Sequence, residues 1–122
     1  MAVISRNALE FALGVSRELY PREFMGLLRG KGDEIAEIII LPATLWGEGF
    51  AEIHGMHVPM DKSIIGSIHS HPSQSNRPSK QDLMEFGRSG NIHLILRHPY
   101  HSIRDVACFS TDGGTLDITV WD

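Results

Sequence analysis

Ser67-Ile68-His69-Ser70-His71-Pro72, continued by Pro78-Ser79-Lys80-Gln81-Asp82, is the stretch on which the fold turns. Side chains along a strand repeat every two residues. His69 and His71 therefore project to one side if extension continues past the strand end. Pro72 blocks further pairing and turns the chain away. Asp82 lies eleven residues after His71, in the first turn of a helix that Pro78-Ser79 opens. A helix entering beside the strand end could bring its carboxylate to the two imidazoles. Two His, one Asp and a water make a tetrahedral Zn²⁺ site with one open position, the mark of catalytic rather than structural zinc. Each part also has a plainer reading. A His-x-His at a strand end is more often surface than ligand. Ser79 with an acid three residues on is an ordinary capping pair. The capping and metal readings are compatible, since helix geometry can hold a side chain whose carboxylate faces an ion.

Working outward, Ser63 to His69 reads as a buried strand, Ser70 to Arg77 as a polar loop, and the helix runs through Arg88 with Leu83 and Phe86 or Met84 inward. Gly90 stops it. Ile92 to Leu96 shows little alternation, as a central strand does. Val106 to Phe109 and Leu116 to Trp121 read as a hairpin around Asp112-Gly113-Gly114. Toward the N-terminus, Ser5 is an N-cap, and Leu9, Ala12, Leu13, Ser16 and Leu19 mark one side of a helix ended by Pro21. Glu23 to Leu28 and Glu34 to Leu41 form a hairpin about Gly30-Lys31-Gly32-Asp33. Pro42 to Gly49 is loop, with Trp46 as a core plug or a partner contact, and Ala51 to His54 is a short strand. The alternation of these elements predicts a mixed α/β sandwich.

The 122 residues argue for a single domain over 1–122. At 42% apolar and 21% charged residues, the chain is neither disordered nor collagen-like. A net charge of −4 lacks the basic footprint of a nucleic-acid binder. The longest aliphatic run, Ile38 to Leu41, is far short of a membrane span. A single cysteine, Cys108, permits no intrachain disulfide and fits a reducing compartment. With no secretory signal visible, a soluble, cytoplasmic protein without membrane or nucleic-acid partners is expected. Cys108 shares a strand with Val106, so burial is its default and a nucleophilic role has little support.

A hydrolytic zinc site needs a base. Glu23 shares a strand face with Met25 and Leu27, and is either an exposed strand start or a carboxylate aimed along that face at the water on the metal. Taken together, Glu23, His69-Ser70-His71-Pro72 and Ser79-Lys80-Gln81-Asp82 resemble the signature of the JAMM (MPN+) metalloproteases, an upstream Glu followed by H-[ST]-H-P-x(6)-S-x-x-D. Glu23 to Leu28 is similar to the family's E-x-x-G-x-L strand, and Gly66 stands where the family has G-x-x-H. The resemblance spans most of the chain and implies a JAMM/MPN-like (cytidine-deaminase-like) α/β fold, a curved mixed β-sheet flanked by helices. It implies one Zn²⁺ per chain held by His69, His71 and Asp82. Glu23 would be general base and then general acid, and Ser79 would donate to the oxyanion of the tetrahedral intermediate. Ser70 would brace the ligands.

Members of this family cleave after the C-terminal tail of ubiquitin or ubiquitin-like proteins, and prokaryotic relatives act on ubiquitin-like modifiers or sulfur carriers. The resemblance therefore implies a zinc isopeptidase or peptidase whose partner is a ubiquitin-like protein or its conjugates. Ser67-Ile68 replaces the aromatic pair common in eukaryotic members, and 122 residues leave no room for long ubiquitin-gripping insertions. The chain thus looks like a minimal, stand-alone member of prokaryotic (archaeal) type. The oligomeric state is not readable. Two alternatives stay open: a non-catalytic MPN-type binding scaffold, and a structural zinc protein closed by a fourth ligand such as His98 or His101. His54, His57, His93, His98 and His101 otherwise read as surface or hydrogen-bonded residues. The zinc is expected in a groove beside a sheet edge, walled by Ser73 to Arg77, where a substrate tail could add as a strand.

Overall fold

The described residues form one mixed sheet of eight strands. The computed structural model describes residues 1–41, 62–86 and 90–122. Strand β1 (Ala2–Ser5) leads directly into helix α1 (Arg6–Leu19). Strands β2 (Met25–Lys31) and β3 (Glu34–Ile40) make the first hairpin, with Gly32 at φ 63° in its turn. Strand β4 (Ile64–His71), helix α2 (Lys80–Phe86) and strand β5 (Ile92–Arg97) form a parallel crossover. A 3₁₀ turn at Ile103–Asp105 precedes β6 (Val106–Phe109), β7 (Thr115–Leu116) and β8 (Ile118–Trp121). The strands lie in the order β7-β6-β5-β4-β2-β3-β1-β8. The expected loop over Pro42 to Gly49 with Trp46, the strand at Ala51 to His54, His54 and His57, and the helix end at Arg88 lie outside the described residues.

The sequence explains most of these elements. The Ser5 hydroxyl accepts the Ala8 N–H at 3.2 Å and caps α1, as its residue type requires. Ala8, Leu9, Ala12, Leu13 and Ser16 then form the buried face of α1, and the Ser16 hydroxyl is satisfied by the Ala12 carbonyl. Burying a leucine such as Leu9 or Leu13 contributes about 1.5–3 kcal/mol. That face packs with Ile4, Phe24, Leu28, Ile35, Ile68, Leu94 and Leu96 in the main core. On the opposite face, Phe86 of α2 packs against Ile95 and Phe109.

Five details differ from expectation. Ala2–Ser5 is a strand, held between β3 and β8 by parallel pairing that no local pattern announces. The strand after α1 begins at Met25, leaving Glu23 just ahead of it, and β4 extends through His71. Phe86 is the buried residue of α2, whereas Leu83 and Met84 are exposed. Leu116 to Trp121 is not one strand: β7 pairs with β6, then Asp117 breaks the run and β8 crosses to β1. Only Asp117 separates β7 and β8, the two ends of the sheet, so the sheet curls almost into a barrel.

Candidate metal centre

His69 and His71 stand at the C-terminal end of β4, and Asp82 in the first turn of α2. The Nε2 atoms of the two imidazoles are 3.2 Å apart. Asp82 Oδ1 lies 3.2 Å from His69 Nε2, and Oδ2 lies 3.4 Å from His71 Nε2. A tetrahedral zinc with bonds of about 2.0–2.1 Å spaces its ligands at roughly 3.3 Å. The observed separations match that edge length, so the donor set fits a single small cation. His69, His71 and Asp82 are the cluster with metal-ligand geometry among the described residues.

Local bonds set each ligand. His71 Nδ1 faces the Ser75 carbonyl at 3.0 Å, so the Nδ1–H donates there and the Nε2 lone pair is left for a metal. Asp82 and Ser79 form a reciprocal cap. The Ser79 N–H donates to Asp82 Oδ2 at 2.8 Å, and the Asp82 N–H donates to Ser79 Oγ at 3.1 Å. With Oγ already accepting, the Ser79 hydroxyl keeps its proton for donation. Burial works to raise the Asp82 carboxyl, but the two imidazoles and the Ser79 N–H outweigh it and hold the carboxyl well below its usual range. The Asp82 carboxylate in turn raises the His71 imidazole.

These residues line a cavity of about 410 Å³ that also includes Glu23, Met25, Pro72, Ser73, Ser79, Gln81 and Glu85. The structure thus brings Glu23, His69, His71, Ser79 and Asp82 to one place. Glu23 arrives there by register. Met25 pairs with His69, and counting two residues back and two forward sets Glu23 opposite His71, on the same face. Phe24, between Glu23 and Met25, is fully buried on the other face.

The expectation of a sheet edge is corrected here. β4 is bonded on both sides, to β2 and β5, so the ligands sit at the end of a central strand. Ser73 does wall the cavity, and the Ser75 carbonyl orients His71. His98 and His101 are not in the cluster. The His98 ring stacks on Tyr20 with centroids 4.2 Å apart, and the His101 N–H donates to Asp105. His93 is fully buried, receiving the Ser67 hydroxyl on Nδ1 at 2.7 Å and donating from Nε2 to the Gly90 carbonyl at 3.0 Å. Cys108 is buried as expected, and loss of solvent pushes its thiol up to about 11, which rules against a thiolate nucleophile. No helix among the described residues is long and apolar enough to cross a membrane. Two positioning contacts were not legible in the sequence: those of Ser70 with Phe24 and of Tyr100 with His71, because both join segments far apart in the chain.

Comparison with known proteins agrees with this geometry. The family described as prokaryotic homologs of the JAB domain matches residues 9–112. A probable metalloprotease of Haloferax volcanii is 39% identical over 129 residues, covering 98% of this chain and 79% of that protein. A JAB1/MPN domain protein from Archaeoglobus fulgidus superposes with a TM-score of 0.77 at 32% identity, covering 100% of both chains. A structure described as a JAMM metalloprotease-like zinc site in the proteasome and signalosome gives 0.76 at 31% identity, covering 100% of this chain and 99% of the other.

Proposed function

The chain belongs to the prokaryotic JAB-domain family, as a minimal JAMM/MPN member, and from that premise we propose that it is a zinc-dependent isopeptidase or peptidase acting after the C-terminal tail of a ubiquitin-like modifier or sulfur carrier. The observation that carries this reading is the convergence of three ligand atoms at tetrahedral spacing in a cavity that also holds Glu23 and Ser79. His69, His71 and Asp82 would hold the zinc. When bound, zinc supplies a Lewis acid that polarises the scissile carbonyl and brings the pKa of a water to about 7.

The remaining work falls to side chains. Glu23 takes the proton of the attacking water and returns it to the leaving amine, the role of a carboxylate poised beside the reacting atoms. The Ser79 hydroxyl donates to the oxygen on which negative charge grows, a contact worth about 3 kcal/mol in other hydrolases. Among the described residues no fourth ligand closes the cluster, which favours a catalytic over a structural zinc. The intact set of Glu23 and Ser79 beside the ligands favours an enzyme over a binding scaffold.

The proposed partner is a folded ubiquitin-like body with a flexible tail. Bulk next to the scissile bond would clash with the cavity wall, so small tail residues are expected there. The body would supply binding energy that positions the bond. The test is a panel of ubiquitin-like fusions, incubated with and without a chelator, beside the matching tail peptides. Cleavage of a fusion that stops on chelation, with kcat/KM well above that of its tail peptide, is the expected result. Equal kcat/KM for fusion and peptide would mark a general peptidase. Glu23→Gln should keep zinc and lower kcat about 100-fold or more, while His71→Ala should lose the zinc.

A further inference from the structure

Where β2 and β4 meet at the metal centre, the ladder closes in an unusual way. The Ser70 N–H donates to the Phe24 carbonyl at 3.2 Å, as an antiparallel pair would. The return bond, from the Phe24 N–H, goes to the Ser70 hydroxyl at 3.0 Å instead of a backbone carbonyl. Ser70 is fully buried, and so is Phe24, whose ring lies in the main core. Phe24 is therefore fixed by its ring on one face and by Ser70 along the backbone. Glu23, its neighbour, points to the other face and into the cavity.

We propose that Ser70 is a positioning residue for Glu23, setting through Phe24 the distance between that carboxylate and the reacting atoms. The inference rests on the reading of Glu23 as general base. Ser70 lies between two ligands, yet its hydroxyl is spent on the segment that carries the base, not on either imidazole. One side chain thus ties the base to the ligand strand. A hydroxyl does this where a carbonyl could not, because it lets the strand turn toward Pro72 while the tether stays in place. Threonine can make the same bond; alanine cannot, and cysteine accepts poorly.

The test uses Ser70→Ala, Ser70→Thr and Glu23→Gln, singly and with Ser70→Ala combined with Glu23→Gln. Zinc content, kcat and KM are measured on whichever ubiquitin-like fusion the protein cleaves. Amide hydrogen exchange at Phe24 is followed in the metal-free protein. Ser70→Ala should lower kcat by about 10- to 100-fold, since small displacements of a reacting group cost that much, with KM and zinc content nearly unchanged. Ser70→Thr should restore the rate. In the Glu23→Gln background Ser70→Ala should add little, because both act on one step. Exchange at Phe24 should quicken at least about tenfold once its acceptor is gone. Should Ser70→Ala fail to fold, Ser70→Cys is read in the same way. Equal losses in both backgrounds, or unchanged Phe24 exchange in a folded variant, would overturn the proposal. If Glu23→Gln alone left kcat intact, the reading of Glu23 as base would fall and this role with it, even with faster Phe24 exchange.

Discussion

The Tyr100 hydroxyl donates a 2.6 Å hydrogen bond to the backbone carbonyl of His71, across 29 residues of sequence. Tyr100 itself is 1% exposed, and Arg17 Nη1 holds its carbonyl at 2.5 Å. A phenol anchored at both ends thus fixes the ligand's main chain just where β4 ends. Tyr100→Phe removes that anchor and leaves a carbonyl unpaired beside the site. Zinc affinity should fall about tenfold, the scale for losing a partner behind a metal ligand, while stability drops by about 1 kcal/mol. Competition with a chromogenic chelator measures the first and urea denaturation the second.

Ser79 serves the helix and the chemistry at once. Ser79→Ala deletes the acceptor for the Asp82 N–H as well as the donor to the oxyanion. Loss of the cap should cost about 1 kcal/mol, and loss of the donor should lower kcat by about 100-fold or more. Ser79→Gly, which caps nearly as well as serine, should recover part of the stability and none of the rate. Zinc analysis, thermal melts and steady-state kinetics on the same samples would separate the two roles. A variant that lost stability but kept its full rate would leave Ser79 as a cap alone.

His93 makes the fold sensitive to acid. Burial, the main cause, pushes its imidazole down to about 4 from the usual 6.5. The folded protein therefore stays neutral at His93 where the unfolded chain takes up a proton. Its contribution is whole above pH 6.5 and is lost as pH falls toward 4, on the order of 3 kcal/mol in all. His93→Gln, which can still accept from Ser67, should flatten that dependence. Urea midpoints at pH 7 and pH 4.5, taken for both proteins in the same metal state, are the comparison.

Gly66 is required by the approach of β5. A Cβ at this position would lie 1.6 Å from the Ile92 carbonyl oxygen, which is backbone and cannot swing aside. Gly66→Ala should therefore cost at least about 3 kcal/mol or prevent folding. Because β4 carries both histidines, a folded Gly66→Ala protein should also bind zinc more weakly. Native-like stability in this variant would contradict the parallel β4–β5 register.

The metal cluster was legible because its parts are local in sequence. Period-two spacing put His69 and His71 on one side, and the Ser79–Asp82 spacing gave both a cap and a carboxylate. Cap chemistry at Ser5 and the apolar stripe of α1 were legible for the same reason. What escaped was non-local. Ala2–Ser5 is too short to show a pattern, and it is a strand because β3 and β8 flank it. Leu116 to Trp121 alternates well enough to pass for one strand, and only the curl of the sheet divides it at Asp117. The central placement of β4 followed from pairing with β2 on one side and β5 on the other, which local spacing does not encode. Gly66 stood out by resemblance, but the reason for glycine is a carbonyl 26 residues further on.

The pairing of β1 with β8 has a consequence for how the protein is made. Ala2 aligns with Ile118 and Ser5 with Trp121, so this parallel edge joins residues 116 positions apart. A ribosome adding about 5–20 residues per second needs on the order of ten seconds to reach β8 after finishing β1. During that interval one flank of β1 has no strand beside it, and an open flank is a template for foreign chains. The hairpin of β2 and β3 can form early, as can the β4–α2–β5 crossover with its ligands. Synthesis thus offers a metal centre before it offers a closed sheet, and the last strand to emerge is the one that seals the first.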